Sequence, residues 1–444
     1  MTAVISKGNK KFNFILLSLG VTTSQISLIL LGLTDSIMIG RDSSAGLAAS
    51  TWVSSIYNLG MLFGMGMIIP IAVQIGRTKS EKEQERIRVG YYRLVILLTV
   101  MISLFLAIFI KVNSLVGTDK IVLAEAQKYA MGLIPGILPW ITFYLIRNIL
   151  LCYQKIRLTV LLSVAAVFIN IVLNYIFIYG FGSFTGMGAF GGALATSMTN
   201  FIIIAIALWV LRKNRMVVPT LKIIFKGPDP YTKATWSLGL PTGLMFFSES
   251  LIFAVGNTLL SGIGTEAVVA FGIAVSWLNL SYMFPVAMSQ VLTEPLSKYY
   301  TEKNKKNFKA LSKYSLSIVL FYNILWILLI LIFKNKLINI IVGDNLTAGI
   351  DILAERFLYL IVAIMFVYNF IVVLSGIMRG FGDVKTPLIM MFVMYWVIGV
   401  GGTIVLTRFT GAYGVPLGML LGFGLTLIGI WNTYKNKMRG EFSE

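Results

Sequence analysis

The chain contains no histidine and only one cysteine, Cys152. A single cysteine cannot form a disulfide within the chain. Because histidine is the side chain that ordinarily titrates near neutral pH, proton exchange in that range would have to use carboxyl groups in unusual surroundings. The sequence also lacks a cysteine cluster, a nucleophile motif and a nucleotide-binding loop. We therefore expect neither an enzyme nor an ATP-driven pump, and no cofactor.

Charged residues are scarce as well. They make up 12% of the 444 residues, and hydrophobic residues make up 57%, whereas a soluble protein has about 25% charged residues. The hydrophobic residues form long blocks, and about 20 apolar residues suffice for a helix to span a bilayer. The sequence predicts an all-α membrane protein with twelve spans. These blocks are 14–40, 46–75, 91–110, 125–152, 158–180, 187–211, 236–262, 266–297, 314–333, 351–378, 386–407 and 411–434.

The first block is too long for the apolar region of a signal peptide and should remain as a helix. The net charge of +19 comes from lysines and arginines in short loops, which argues against nucleic-acid binding. If the termini and the even-numbered loops share one side, that side holds 29 of the 37 basic residues and the other side holds 8. Basic loops face the cytoplasm. We therefore expect both termini in the cytoplasm and a location in the bacterial inner membrane.

The two halves of the chain resemble each other. "LSLGVTTSQ" at 17–25 is similar to "WSLGLPTGL" at 236–244, and "GAFGGAL" at 188–194 is similar to "GAYGVPL" at 411–417. The repeat predicts two pseudo-symmetric lobes of six helices, 1–211 and 236–444, joined by a cytoplasmic linker at 212–235. Parallel repeats of this kind are typical of secondary transporters.

Two of the eighteen acidic residues lie deep inside apolar blocks, Asp35 in the first and Glu249 in the seventh. Acids within membrane helices are rare and usually functional. Asp35 could alternatively reach the membrane interface, and Glu249 could be a permanently protonated carboxyl group bonded to a neighbouring helix. We expect both to couple transport to an ion.

Neutral oxygen ligands occur in the fifth and sixth blocks. Asn170 and Asn174 are four residues apart and share one helix face, and Thr196 follows in the next block. Together with a carboxylate, these side chains could hold Na⁺, a hard cation that prefers oxygen. Polar residues in membrane helices also serve simply as contacts between helices, and for each asparagine the two interpretations are evenly balanced.

Several stretches together are similar to the multidrug and toxic compound extrusion (MATE) transporters, particularly the NorM-like bacterial branch. They include "LTDSIMIG", "INIVLNYIFIYGFG", "GAFGGALAT", "GLPTGLMFFSES" and "LSGIMRGFGDVKTP". The resemblance implies two six-helix lobes in a V and export of cationic, amphipathic compounds against Na⁺ or H⁺. It also implies that Asp35, Asn170, Asn174, Thr196 and Glu249 form ion-coupling sites, and that the protein is a monomer.

The chain departs from the family pattern at three places. Many NorM-like members carry an acid in the tenth helix, where this chain has Tyr368 and Asn369. Some members have an aspartate where Asn174 stands. A first-helix proline is missing, although Pro241 stands at the matching place in the second half. We therefore expect coupling to depend mainly on Asp35.

The sequence thus predicts a secondary active exporter of drug-like cations. The main alternative is a lipid-linked oligosaccharide flippase of the same superfamily, which would need a basic central cavity. The basic residues lie instead in loops or near helix ends. A passive channel is a further alternative, but it would need no buried acid.

Overall fold

A computed structural model of the chain describes residues 10–78, 80–113, 120–153, 155–213, 230–342 and 348–440. Contacts divide the chain into two compact units, Met1–Gly243 and Leu244–Glu444, which we call the N-terminal and C-terminal units. Of the predicted linker 212–235, residues 214–229 lie outside the described residues. Arg212 and Lys213 end one helix, and 230–235 begin the next.

The helices of the first half carry the labels α1 to α7. They are α1 (Lys10–Asp42), α2 (Ser44–Ile68), α3 (Ile71–Arg77), α4 (Glu81–Asn113), α5 (Lys120–Cys152), α6 (Ile156–Asn174) and α7 (Gly188–Lys213). Pro70 separates α2 from α3 because proline has no backbone N–H to continue the helix. A hairpin of β1 (Gly180–Phe181) and β2 (Phe184–Thr185) precedes α7 and pairs Phe181 with Phe184.

The helices of the second half are α8 to α14. They are α8 (Pro230–Ser261), α9 (Thr265–Thr301), α10 (Lys305–Val342), α11 (Ala348–Gly380), α12 (Lys385–Met391), α13 (Gly401–Thr410) and α14 (Gly414–Gly440). Asn304 caps α10 by accepting a hydrogen bond from the Asn307 amide at 3.1 Å. Asp383 accepts from the Thr386 amide at 3.0 Å in the same way at α12.

Eleven helical segments among the described residues are long and apolar enough to cross a bilayer. One of them, Lys385–Gly440, has 56 residues and contains two passes. The chain reverses at Gly411, whose φ of +58° suits glycine. Across the turn, Thr403 Oγ1 of α13 donates to the Val415 carbonyl of α14 at 3.4 Å, which joins the two helices. Counted this way, the described residues contain twelve passes, and the predicted all-α membrane fold is confirmed.

The core of the N-terminal unit lies around α5. One apolar cluster joins α5 to α1, α2, α4 and α7 and includes Ile39, Val53, Ile110 and Leu133. The α5 and α7 backbones approach closely, since a Cβ on Gly136 would lie 2.8 Å from the Cα of Ser197. Small residues permit such contacts between membrane helices.

The core of the C-terminal unit lies between α9 and α11. Phe271 of α9 meets Phe357 of α11 edge-on, with ring centroids 6.1 Å apart. Gly376 of α11 lies against Ser289 of α9 so closely that a Cβ would be 2.9 Å from the Ser289 carbonyl oxygen. This packing fixes the inward face of α11.

A π-helical stretch interrupts the regular helix at one place in each half. Tyr175–Tyr179 follows α6 directly, and Phe392–Val400 joins α12 to α13. Such widened turns frequently occur at functional sites. The first of them begins immediately after Asn174, one of the predicted site residues.

Candidate ion-coupling sites

Asp35 lies in α1, about 10 Å along the helix axis from its last residue, Asp42. Its side chain points into the N-terminal unit, since the residue is only 7% exposed. The alternative of a side chain that extends to the membrane interface therefore does not describe its position. The carboxylate belongs to the interior of the N-terminal unit.

The structure brings four predicted site residues of the N-terminal unit together. Asn174 Nδ2 donates to Asp35 Oδ1 at 2.6 Å, and Thr196 Oγ1 donates to Asp35 Oδ2 at 2.7 Å. Asn174 Nδ2 also donates to Asn170 Oδ1 at 3.1 Å, and Asn170 Nδ2 donates to Thr196 Oγ1 at 3.4 Å. Helices α1, α6 and α7 thus supply one closed ring of polar groups, which we call the aspartate site.

The charge balance of the aspartate site determines what it can bind. All its donors to Asp35 are neutral, and in the described part of the chain no lysine or arginine forms an ion pair with this carboxylate. An ionised carboxylate buried without a cationic partner is costly. The Oδ1 atom of Asn174 is also buried and accepts no hydrogen bond. The site therefore has oxygen acceptors to spare and suits a small cation or a proton.

Two tyrosines near the aspartate site were not found from the sequence. Tyr57 of α2 and Tyr129 of α5 lie near Asp35, and Tyr129 shares a 3.4 Å hydrogen bond with Ser54. Isolated tyrosines in apolar blocks usually pack in the core, so the sequence contained no signal that would distinguish them.

Glu249 lies in the C-terminal unit on α8 and is also 7% exposed. Two tyrosine hydroxyls donate to its Oε2 atom, Tyr282 of α9 at 3.3 Å and Tyr368 of α11 at 3.2 Å. Among the described residues no side chain donates to Oε1. This arrangement, the glutamate site, leaves one carboxylate oxygen available for another ligand.

Aromatic rings surround the glutamate site. Tyr282 and Tyr368 are stacked with centroids 5.1 Å apart, and Phe423 of α14 stacks on Tyr368 at 5.3 Å. Tyr395 contacts Phe423 edge-on at 4.6 Å, and its hydroxyl is buried without a hydrogen bond. A carboxylate among aromatic faces suits a cation, because the ring quadrupole attracts positive charge.

Tyr368 and Asn369, at the tenth-helix position where the family resemblance predicts an acid, face different ways. Tyr368 reaches Glu249, whereas Asn369 Nδ2 donates to Asn323 Oδ1 of α10 at 2.8 Å. Asn323 in turn donates to the Phe366 carbonyl at 3.2 Å. Asn369 therefore joins two helices, and the glutamate site contains a single carboxyl group with tyrosines in place of a second acid.

Comparison with known proteins supports the fold and places the chain in a family. A profile of the MatE family matches residues 21–176 and 241–405. Two matched relatives are both named "Probable multidrug resistance protein NorM". The protein from Photorhabdus laumondii is 26% identical over 440 residues, covering 96% of this chain and 95% of the relative. The protein from Mannheimia succiniciproducens is 28% identical over 426 residues, covering 94% and 90%.

Solved structures show the same fold. An outward-facing multidrug resistance MATE family transporter of the MOP superfamily superposes with a TM-score of 0.87 at 21% identity, covering 98% of this chain and 97% of that one. A MOP superfamily transporter from Pyrococcus furiosus, described as having a binding pocket of reversed polarity that suggests a different function, superposes with a TM-score of 0.85 at 20% identity and the same coverage. The fold is therefore shared by proteins of more than one proposed function. With most of its length matched by the family profile, this chain belongs to the MatE family of membrane transporters.

Proposed function

We propose that this protein is a secondary active exporter that moves amphipathic organic cations out of the cell in exchange for inward Na⁺ or H⁺. The observation that carries the proposal is the aspartate site. Asp35 is buried and accepts hydrogen bonds from Asn174 and Thr196, and its hydrogen-bond partners among the described residues are neutral. The names of its relatives support drug-like substrates.

The aspartate site has the chemistry that ion coupling requires. A proton on Asp35 would neutralise it, and so would Na⁺ held by its carboxylate together with oxygens of Asn170, Asn174 and Thr196. These ligands come from three different helices, so a bound cation would hold α1 against α6 and α7. A cation that binds one conformation more tightly than the other shifts the equilibrium between them.

Drug and ion then act on the same equilibrium in opposite directions. Coupling of this kind is a difference in binding free energy between two states, typically 1–3 kcal/mol. The glutamate site is a second candidate cation site, since Glu249 is a buried acid with an open oxygen. It differs from the aspartate site in that the buried Arg379 lies near it. We assign the main coupling role to Asp35.

The distribution of basic residues supports the direction of transport. With 29 of the 37 lysines and arginines on the side of the termini, the positive-inside rule places both termini in the cytoplasm of a bacterial cell membrane. An inward cation gradient would then drive the drug outwards.

The proposal is tested by efflux of a fluorescent organic cation from proteoliposomes that contain the purified chain. An inward Na⁺ gradient and an inward H⁺ gradient are imposed separately on wild type, on Asp35→Asn and on Glu302→Gln. Glu302 is an exposed acid in the turn between α9 and α10, so its variant is the control for loss of a carboxylate.

We expect one gradient to drive uphill efflux in wild type and in Glu302→Gln, and neither gradient to do so in Asp35→Asn. The active gradient identifies the coupling ion. If neither gradient drives uphill efflux by wild type, the proposal is contradicted and the lipid-linked oligosaccharide flippase is favoured. Undiminished efflux by Asp35→Asn would show that the aspartate site is structural.

A further inference from the structure

A row of lysines marks the beginning of α10. Lys305, Lys306, Lys309 and Lys313 fall within its first nine residues, and all four side chains are exposed. Lys305, Lys309 and Lys313 are spaced by four residues and therefore lie on one side of the helix. Like charges at this spacing repel one another and destabilise the helix, so the sequence retains them at a cost.

The protein itself does little to neutralise this row. The first turn of α10 contains no acid, and within the described residues none of the four lysines forms an ion pair. The neighbouring turn adds two further exposed lysines, Lys298 and Lys303, and one exposed acid, Glu302. The row thus carries a surplus of positive charge.

A different side of α10, next to the row, packs against the C-terminal unit. Phe308 is completely buried, and its ring lies 4.4 Å from that of Phe381. Ser312, Ser315 and Val319 continue this buried side up the helix. The lysine side chains stay exposed beside this buried side.

Beyond the lysines, the outward side of α10 becomes apolar and stays exposed. Phe321 is 63% exposed and Ile332 is 67% exposed, with Ile324 and Leu328 between them. Only 17% of the most apolar part of α10 is buried, the lowest share among the eleven described spans. Phe321 lies about 12 Å along the axis from Lys313. At about 100° per residue, Lys306 and Lys313 lie within about 20° of Ile324 around the helix. The exposed surface therefore runs from a cluster of ammonium groups into a strip that suits hydrocarbon.

The corresponding helix of the first half differs. Helix α4 is the third pass, as α10 is the ninth, and it begins with Glu81, Glu83 and Glu85 interleaved with Lys82 and Arg86. Its charges nearly balance. A surplus of lysine is therefore not a requirement of this position in the repeat.

We propose that this surface, the lysine face formed by Lys305, Lys306, Lys309 and Lys313 with the apolar strip from Phe321 to Ile332, binds an anionic phospholipid. The ammonium groups would bind the phosphate oxygens, and the acyl chains would lie along the strip. Lysines near a membrane surface attract anionic lipids additively. The apolar strip distinguishes a lipid from a soluble anion, which would gain nothing from it.

The test measures thermal unfolding of the full chain in detergent during titration with phosphatidylglycerol or phosphatidylcholine. Three double variants are compared with wild type: Lys305→Gln with Lys309→Gln, the charge-preserving Lys305→Arg with Lys309→Arg, and Lys82→Gln with Arg86→Gln as the matched control on α4. Because the glutamine pair removes repulsion between like charges, we expect it to be folded and at least as stable as wild type without lipid.

We expect phosphatidylglycerol, but not phosphatidylcholine, to raise the melting temperature of wild type, of the arginine pair and of the α4 control. The glutamine pair should need roughly 25-fold more phosphatidylglycerol for half of the effect, roughly fivefold for each lysine. Equal stabilisation by phosphatidylcholine or by inorganic phosphate would overturn the proposal. So would a glutamine pair that responds like wild type, or an equal loss in the α4 control.

Discussion

The aspartate site and the glutamate site hold their buried carboxyl groups with different arrangements of hydrogen bonds. Both bury a carboxyl group inside membrane helices, but both oxygens of Asp35 accept hydrogen bonds from amide and hydroxyl groups. At Glu249 a single oxygen accepts both tyrosine hydroxyls. Asp35 is therefore held on both sides by small polar ligands, whereas Glu249 has one oxygen open among aromatic rings. In the proposed function, the aspartate site is the selective site for a small ion and the glutamate site is the more permissive cation site.

The largest predicted difference concerns the two carboxyl groups themselves. Asp35→Asn places an amide opposite the donors Asn174 and Thr196 and removes the charge, so we expect about 100-fold less gradient-driven efflux, the upper range of allosteric coupling. Glu249→Gln keeps an oxygen that can accept from Tyr282 and Tyr368, so we expect about a tenfold loss. Initial rates of efflux under the active gradient measure both.

The comparison of Asp35→Asn with Glu249→Gln needs a control variant and can be contradicted by one result. Glu302→Gln should match wild type, because Glu302 is exposed and outside both sites. If Glu249→Gln lost more efflux than Asp35→Asn, the assignment of the main coupling role to Asp35 would be wrong.

Thr196→Val tests the selectivity of the aspartate site. Valine is close in shape to threonine but cannot donate to Asp35 Oδ2 or provide an oxygen ligand, and a hydrogen bond to a charged group contributes about 1.5–3 kcal/mol. We expect an approximately tenfold higher concentration of the coupling ion for half-maximal efflux. Thr196→Ser retains the hydroxyl and should remain near wild type. Equal behaviour of the two variants would exclude a direct role for the hydroxyl.

Tyr368→Phe tests how the glutamate site differs. The ring that stacks on Tyr282 remains, and one of two donors to Glu249 is lost. Because Tyr282 still donates, we expect only a threefold to fivefold loss of efflux, about 1 kcal/mol for one hydrogen bond. Tyr368→Leu removes the ring as well and should cost more, since aromatic faces attract cations. Efflux assays across several organic cations measure both, and an equal loss would assign no role to the ring.

Much of the fold could be predicted from the sequence because hydrophobic length is a strong signal. The first and fourth predicted blocks, 14–40 and 125–152, end within about two residues of the last residues of α1 (Asp42) and α5 (Cys152). The residues of the aspartate site could be proposed because polar groups stand out in apolar helices. Their hydrogen bonds could not be predicted, since these depend on how α1, α6 and α7 pack.

The glutamate site was only partly predictable for a physical reason. Glu249 is conspicuous as an acid in an apolar block. Tyr282 and Tyr395, in contrast, look in the sequence like any aromatic residue that packs in the core. Tyr368 and Asn369 are adjacent in sequence, and one residue of a helix is rotated about 100° from the next. Sequence alone could not decide which of the two faces the glutamate.

The smallest predicted effect on transport concerns that adjacent pair. Asn369→Ala removes a hydrogen bond to Asn323 on the side of α11 away from Glu249, and leaves the Asn323 amide partly unsatisfied. We expect a loss of about 1–2 kcal/mol in stability but wild-type efflux in protein that remains folded. Thermal unfolding and efflux measured on the same preparation separate the two effects. Because Tyr368→Phe should reduce efflux with little change in stability, opposite outcomes at neighbouring residues would localise the glutamate site to one side of α11. If Asn369→Ala impaired efflux at normal stability, the glutamate site would extend to the Asn369 side of α11 as well. It would then no longer differ from the aspartate site in the way described above.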